Sequence, residues 1–355
     1  MADDAESVRN SITGVGAGRA EIRPFPRHPA MRNRYPHQVL RRMLIPEHYG
    51  MDAIIARNLC KSFGPVTAVD DVSIAIPEGG IFGFLGPNGA GKTTTIRMIT
   101  GVLIPDAGTV QILGTDVQND PIAAKLKMGV IPENGTVYSD LTAEQNILLS
   151  AKFYGMDTAG RKKRAGEILD RLGLTGRKND YVRTFSKGMR QRISIACAIV
   201  HSPPVLILDE PTTGLDVYSR RLVIDTIRHM NREGSTILLT THNIEEANAL
   251  CSMISIINRG RIVATDSPEN LKKTFDTSRY IEVSFDRAVD PSLFSAPGIT
   301  RAEVWGDKWR AYTDDPDRAV KHIASAAERE HLAIVSIATS EPTLEEAFVR
   351  LTAGI

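Results

Sequence analysis

Two kinds of apolar pattern organise the chain. Residues 205–208 and 236–239 are unbroken apolar or β-branched runs, as expected for strands buried on both faces of a parallel sheet. Residues 53–59 and 68–76 alternate instead, as half-buried strands do. Ile81, Phe82, Phe84 and Leu85 predict another buried strand, and residues 94–100 the first turns of a helix after a short glycine-rich loop. Residues 142–180 have helical period, with Leu148, Leu149, Ala151, Phe153, Ile168 and Leu172 as the expected packing positions. Strands alternating with helices over 51–275 therefore predict an α/β domain, with a helical insertion at about 134–190. Beyond it, over 276–355, come strands at 280–285, 302–305, 309–312 and 333–338 and helices at 316–328 and 344–351, the order of a small C-terminal α+β domain.

Residues 1–50 break both patterns. They carry eight Arg against five acidic residues, no Lys and little apolar periodicity, and read as a disordered leader. Met51 stands just before the first strand and marks the expected start of ordered structure. Charge adds little: 43 basic against 42 acidic residues give a net +1, so bulk electrostatics supply no reason to expect a nucleic-acid partner. Cys60, Cys197 and Cys251 are too few and too scattered for a disulfide framework or a zinc site and read as small packing residues. No run approaches the roughly 18 apolar residues of a membrane-spanning helix, so any membrane role passes through a partner.

The loop between the strand at 81–85 and the helix after it carries the first chemistry. Gly86, Pro87, Asn88, Gly89, Ala90, Gly91, Lys92 and Thr93 match the phosphate-binding pattern G-x-x-x-x-G-K-[ST], with Thr94 opening the helix behind them. Its glycines let backbone N–H groups converge on phosphates, helped by the partial positive charge of the helix N-terminus. Lys92 is expected to neutralise the β and γ phosphates of a nucleoside triphosphate, and the Thr93 hydroxyl to hold Mg2+. The strand at 205–208 ends in Asp209 and Glu210. Such carboxylates arrive at the sheet edge where ligands sit in open α/β folds. Asp209 is expected to hold Mg2+ through its water shell, and Glu210 to orient or deprotonate an attacking water. Upstream, Ser186 is placed to cap a helix and, with Gly188, to offer a second anion site.

With these motifs in this order, residues 53–271 resemble the ATP-binding subunit of an ABC transporter. On that resemblance Phe185–Met189 is the signature motif, Gly214-Leu215-Asp216 the D-loop, Glu133 the Q-loop position and His242 the switch histidine. The resemblance implies that Phe63 stacks on adenine, Glu133 contacts Mg2+ or its water, Glu210 is the catalytic carboxylate and His242 meets the γ-phosphate. It also implies that Ser186, Gly188 and Asp216 face ATP bound by a second subunit. Glu133 stands where glutamine is usual, Lys187 replaces the first glycine of the signature and Met189 its final glutamine. These departures, with the Glu341–Phe348 segment, resemble the ABC-2 or multidrug-export type. The implied function is an ATP hydrolase at the cytoplasmic face of the cell membrane. It would work as a homodimer closing over its ATP sites and power a separate multi-helix permease, with the segment from Glu133 through the insertion as the contact, for export of a drug or other small hydrophobic compound. Two other readings remain open: a soluble ATPase of the same superfamily acting on ribosomes or DNA, and a regulatory ATPase working through its C-terminal domain.

Overall fold

The structure, a computed structural model, describes residues 52–133, 137–274, 279–340 and 343–353. The leader, Met51 and residues 341–342 of the C-terminal segment lie outside the described residues.

Three layers support the phosphate loop. Strands β1 (Asp52–Phe63), β2 (Val66–Pro77), β4 (Ala107–Ile112) and β5 (Thr115–Asp116) form an antiparallel sheet in the order β2-β1-β4-β5. Behind it stands a six-stranded sheet, ordered β10-β9-β3-β8-β7-β6. Its strands are β3 (Ile81–Leu85), β6 (Met128–Ile131), β7 (Val205–Asp209), β8 (Thr236–Thr241), β9 (Met253–Asn258) and β10 (Arg261–Asp266). All pairs are parallel except β9–β10.

The unbroken apolar runs have the two-sided burial their pattern predicts. Along β7, Val205 and Ile207 enter the core shared with the antiparallel sheet, while Leu206 and Leu208 enter the core beneath the helices. Every residue of β3, β7 and β8 is buried. A parallel arrangement also brings the C-terminal ends of β3, β6, β7 and β8 to one edge, and the loops that follow them carry the candidate chemistry.

Helix α1 (Lys92–Ile99) follows the phosphate loop, and α2 (Pro121–Leu126) precedes β6. The third layer contains α3 (Ala143–Phe153), α4 (Thr158–Arg171) and α5 (Lys187–Ile199), joined between α4 and α5 by two short 3-10 turns. Thr142 caps α3 in a reciprocal capping box with Gln145. One expectation fails here. Phe153 is 69% exposed, because it is the last residue of α3 and points away from the stripe formed by Ala143, Ile147 and Ala151. Leu148 and Leu149 are half-buried, whereas Ile147 is fully buried. The helical period also stops at Tyr154–Asp157, where Gly155 takes a positive φ of 75°.

Helix α6 (Val217–Arg232) connects β7 to β8, and α7 (Ile244–Leu250) and α8 (Pro268–Thr274) complete this part. A third sheet, antiparallel and ordered β12-β13-β11-β14, comprises β11 (Arg279–Phe285), β12 (Ile299–Trp305), β13 (Lys308–Thr313) and β14 (Ile334–Ser340). It packs on α9 (Pro316–Arg329) through Ile281, Val283, Ala311, Ala319 and Ile323. Trp309 joins that core against Phe294, at 4.8 Å between ring centroids, whereas Trp305 is 55% exposed under the Arg310 guanidinium. The final helix, α10 (Leu344–Ala353), returns to the ATP-loop body. Leu344 is buried in the core beneath the helices, and the Asn258 amide donates to the Thr352 carbonyl at 3.0 Å.

Candidate functional site

The phosphate loop is shaped by close approach as much as by turn chemistry. A Cβ on Gly86 would stand 2.5 Å from the Ile257 carbonyl oxygen, and one on Gly91 would stand 2.6 Å from that of Ala68. Gly91 also has φ 107°, a conformation L side chains rarely adopt. Only glycine fits either position. The loop's far side is pinned by the Gly260 N–H, which donates to the Ala90 carbonyl at 2.9 Å.

A cavity of about 340 Å3 opens over this loop. Into it the strand ends bring Lys92 and Thr93 from α1, Glu133 from the loop after β6, Glu210 and Thr213 from the loop after β7, and His242 from the loop after β8. Pro87, Asn88, Gly89, Gly91 and Thr94 also line it.

Glu210 is the hub. It is only 8% exposed, and its Oε2 lies 2.8 Å from His242 Nδ1 and accepts from Thr213 Oγ1 at 2.8 Å. Its Oε1 faces the Lys92 ammonium at 3.4 Å, an ionic contact, and has no hydrogen-bond partner among the described residues. Lys92 spends its shortest hydrogen bond on the Gly86 carbonyl, at 2.7 Å. Glu210 also has φ 52°, unusual for a residue with a Cβ. Its N–H holds that turn by donating to Thr240 Oγ1 at 3.0 Å. The same hydroxyl donates to Asp209 Oδ1 at 2.6 Å, so one threonine fixes both acids at the end of β7.

These groups suit an anionic ligand with a hard cation. Lys92 and the loop N–H groups are donors for phosphate. Thr93, Asp209 and Glu133 are hard oxygen ligands of the kind Mg2+ takes. No cluster of three His, Cys, Asp or Glu side chains poised for a metal exists among the described residues.

Besides Gly86 and Ala90 of the loop itself, five of the expected residues do not line this cavity; Asp209, 2% exposed at the end of β7, is one of them. Phe63, at the end of β1, is 52% exposed and does not line it. Ser186 caps α5 by accepting from the Met189 N–H at 3.3 Å. Gly188 packs against the start of α6, since a Cβ there would meet Ser219 Oγ at 2.4 Å and Asp216 Oδ2 at 3.3 Å. Asp216 caps α6 through the Ser219 N–H, at 2.8 Å, a bond that holds its carboxyl below the usual aspartate range. The signature segment and D-loop thus touch each other in one chain, on a surface that also exposes Val217 and Tyr218. The Lys187 ammonium lies over Gly214, in the space a side chain there would take.

Sequence reasoning missed Thr213 and Thr240, whose hydroxyls hold the acids, and Glu246, whose carboxylate is buried behind them. The available signals were the threonines flanking both motifs: Pro211-Thr212-Thr213 after the acids and Thr240-Thr241 before His242.

A profile of the ABC transporter family matches residues 69–213. The linearmycin resistance ATP-binding protein LnrL of Bacillus subtilis (strain 168) is 34% identical over 302 residues, covering 84% of this chain and 97% of its own length. The Nod factor export ATP-binding protein I of Ralstonia nicotianae is 36% identical, covering 83% and 92%. The daunorubicin/doxorubicin resistance ATP-binding protein DrrA of Streptomyces peucetius is 35% identical, covering 84% and 92%. Among solved structures, an ATP-binding subunit of an ABC transporter superposes with a TM-score of 0.59 at 30% identity, covering 63% of this chain and 93% of its own. A dimeric ATP-binding cassette in a post-hydrolysis state, bound to ADP and Pi, gives 0.56 at 26% identity, covering 60% and 98%. Agreement across nearly the whole length of the relatives, and with the cavity's donors and carboxylates, makes this chain a member of the ABC transporter family, an ATP-binding subunit with ATP hydrolase chemistry.

Proposed function

We propose that the chain powers export of a small hydrophobic compound, working as a homodimer peripheral to the cytoplasmic face of the cell membrane and bound to a separate multi-helix permease. The observation that carries the hydrolytic part is the buried Glu210, held between Lys92, Thr213 and His242 at the mouth of the phosphate loop.

In this reading Lys92 and the N–H groups of residues 86–93 bind the ATP phosphates, and Phe63 lends its open ring face to adenine. Thr93, Asp209 and Glu133 would hold Mg2+, the two acids directly or through its water shell, and the cation would neutralise phosphate charge. Lys92 leaves Glu210 for the γ-phosphate, freeing a carboxylate oxygen to orient and deprotonate the attacking water. His242, already 2.8 Å from that carboxylate, keeps it aligned and meets the γ-phosphate. Ser186, Gly188 and Asp216 serve the ATP bound by a second copy, since they lie away from their own chain's cavity and share a surface with exposed Val217 and Tyr218. ATP touched from both sides favours the closed dimer by its differential affinity, and that difference is available to drive a permease.

The permease contact is assigned to the segment from Glu133 through the insertion. A groove of about 560 Å3 there is lined by Val130, Tyr138, Phe153, Tyr154 and Cys197, and an exposed Phe at its rim suits an apolar partner. The export assignment follows the relatives, whose names describe resistance or export. No helix among the described residues is long and apolar enough to cross a membrane.

The test is Glu210→Gln. Turnover should fall by at least about 100-fold while ATP affinity stays within about threefold, and an ATP-dependent dimer should accumulate on gel filtration. Turnover near the wild-type rate would remove Glu210 from the reaction. Mass spectrometry of detergent-extracted membranes should recover a multi-helix protein with the tagged chain; recovery with ribosomes alone would overturn the transport reading.

A further inference from the structure

Glu246 belongs to neither the phosphate loop nor the paired acids, yet it is among the most deeply buried acids of the described residues, at 7% exposure. It sits in the first turn of α7, where Asn243 caps the helix and accepts from the Glu246 N–H at 3.0 Å. An acid in that turn suits the helix dipole and ordinarily stays in water. This one turns inward. Its Oε2 accepts from Thr212 Oγ1 at 2.7 Å and lies 3.5 Å from Thr241 Oγ1. Its Oε1 is buried and has no hydrogen-bond partner among the described residues. Burial pushes its carboxyl above the usual glutamate range. An apolar residue in the same space would avoid that desolvation cost, so stability alone does not account for a carboxylate here.

The two threonines explain the placement. Thr212 is two residues after Glu210, and Thr241 immediately precedes His242. One carboxylate oxygen therefore ties the loop after β7 to the end of β8, behind the point where Glu210 and His242 meet at 2.8 Å. On either side of the tie the loops are fixed locally: Thr213 donates to Glu210, and the Asn243 N–H donates to Thr241 Oγ1 at 2.9 Å. We propose that Glu246 is a positioning residue for ATP hydrolysis, a buried acceptor that holds Thr212 and Thr241 together so that Glu210 and His242 keep their relative geometry. The inference rests on reading Glu210 and His242 as the reacting pair. Glu246 touches neither water nor phosphate in this scheme and acts only through the two threonines.

The test uses the full chain and follows phosphate release at saturating Mg-ATP, with KM and nucleotide affinity measured alongside. Glu246→Ala should lower kcat at least about tenfold and leave KM within about threefold, because alignment is lost while the phosphate loop is untouched. Glu246→Gln keeps a carbonyl acceptor of the same reach and should recover kcat to within about threefold of wild type. Thr212→Val should lower kcat as well, and adding it to Glu246→Ala should lower kcat no further, since both changes cut one tie. A folded Glu246→Ala protein with wild-type kcat overturns the proposal. So does a Gln variant as slow as the Ala variant, or a fully multiplicative double variant. If Glu246→Ala fails to fold, Thr212→Val decides, and wild-type kcat there overturns the proposal equally. Glu210→Gln run beside them separates the two readings. Wild-type turnover in that variant removes the reacting pair itself; an inactive Glu210→Gln with active Glu246→Ala and Thr212→Val removes only the tie.

Discussion

The phosphate-loop side and the signature side of this chain, proposed to carry complementary halves of the same chemistry, are built in opposite ways. On the first, Lys92 is 6% exposed and Glu210 8%, and the two meet in a buried ionic contact at 3.4 Å that leaves Glu210 Oε1 without a hydrogen-bond partner among the described residues. On the second, Ser186, Lys187 and Asp216 are exposed, their side chains serve helix caps or lie over glycine, and Val217 at 85% and Tyr218 at 64% stand open to solvent beside them. A buried charged cluster with an unpaired carboxylate oxygen suits a small ligand that enters it. An open surface with capped helices and unburied apolar side chains needs a second surface to complete it. On the proposed reading, the difference suits one half to binding within the chain and the other to recognition between chains.

The sharpest way to break that assignment is to spoil each half in a different copy. Ser186→Asp is chosen because Asp is as good a helix N-cap as Ser, so α5 and the fold should be unaffected. If Ser186 faces the partner's ATP, however, a carboxylate there opposes the phosphate charge. At an effective dielectric near 20, two like charges about 4 Å apart repel by about 4 kcal/mol, so turnover should fall by at least about 100-fold. Mixed with Glu210→Gln chains, the Ser186→Asp protein should regain about a quarter of wild-type activity. Half of random two-fold dimers are mixed, and each mixed dimer keeps one site of two intact. Phosphate release from an equimolar mixture reads this directly; a mixture as inactive as its components would place both halves of the site in one chain.

How much of this was legible beforehand follows the same division. The strands, the phosphate loop and the acids after β7 could be read because each is a contiguous string whose pattern carries its own physics: two-sided burial, close backbone approach, charge at a strand end. Glu210, His242 and Lys92 each stand out in their own local string, but the 2.8 Å and 3.4 Å contacts among them depend on β3, β7 and β8 being parallel neighbours, which no local string contains. Thr240 and Glu246 were missed for that reason. A threonine at the end of a strand reads as β-branched filler until the adjacent strand brings Asp209 to 2.6 Å from its hydroxyl. Phe153 failed differently: helical period identifies a stripe, yet it does not say where along α3 the stripe stops facing the core.

That failure can be measured within the insertion, where buried and open surfaces alternate on one helix. Ile147 has no exposure and packs under α4 and α5, so Ile147→Ala should cost about 2–5 kcal/mol of stability, seen as an earlier urea midpoint. Phe153→Ala, six residues on, should change stability by no more than about 0.5 kcal/mol. Its effect should appear only in recovery of the membrane partner, because Phe153 lines the open groove. Equal losses of stability would return Phe153 to the core.

The smallest effect lies where the insertion meets the sheet. His201, just beyond α5, stacks on Tyr154 with ring centroids 3.4 Å apart and planes within 6°, and the Tyr154 hydroxyl reaches the Met128 carbonyl of β6 at 3.4 Å. Burial lowers the His201 imidazole from 6.5 to about 4, so the native state holds it neutral. Between those values the unfolded chain binds a proton that the folded chain does not, and stability must fall as protons become available. The contribution is therefore fully present above pH 6.5 and is lost progressively as pH drops towards 4. His201→Phe keeps an aromatic ring for the stack and removes the titration. Its melting temperature should match wild type at pH 7.5 to within a few degrees and decline less steeply between pH 6.5 and 4.5. Parallel declines would mean that the imidazole is protonated in the folded protein, and that this corner of the insertion is open to water like the groove beside it.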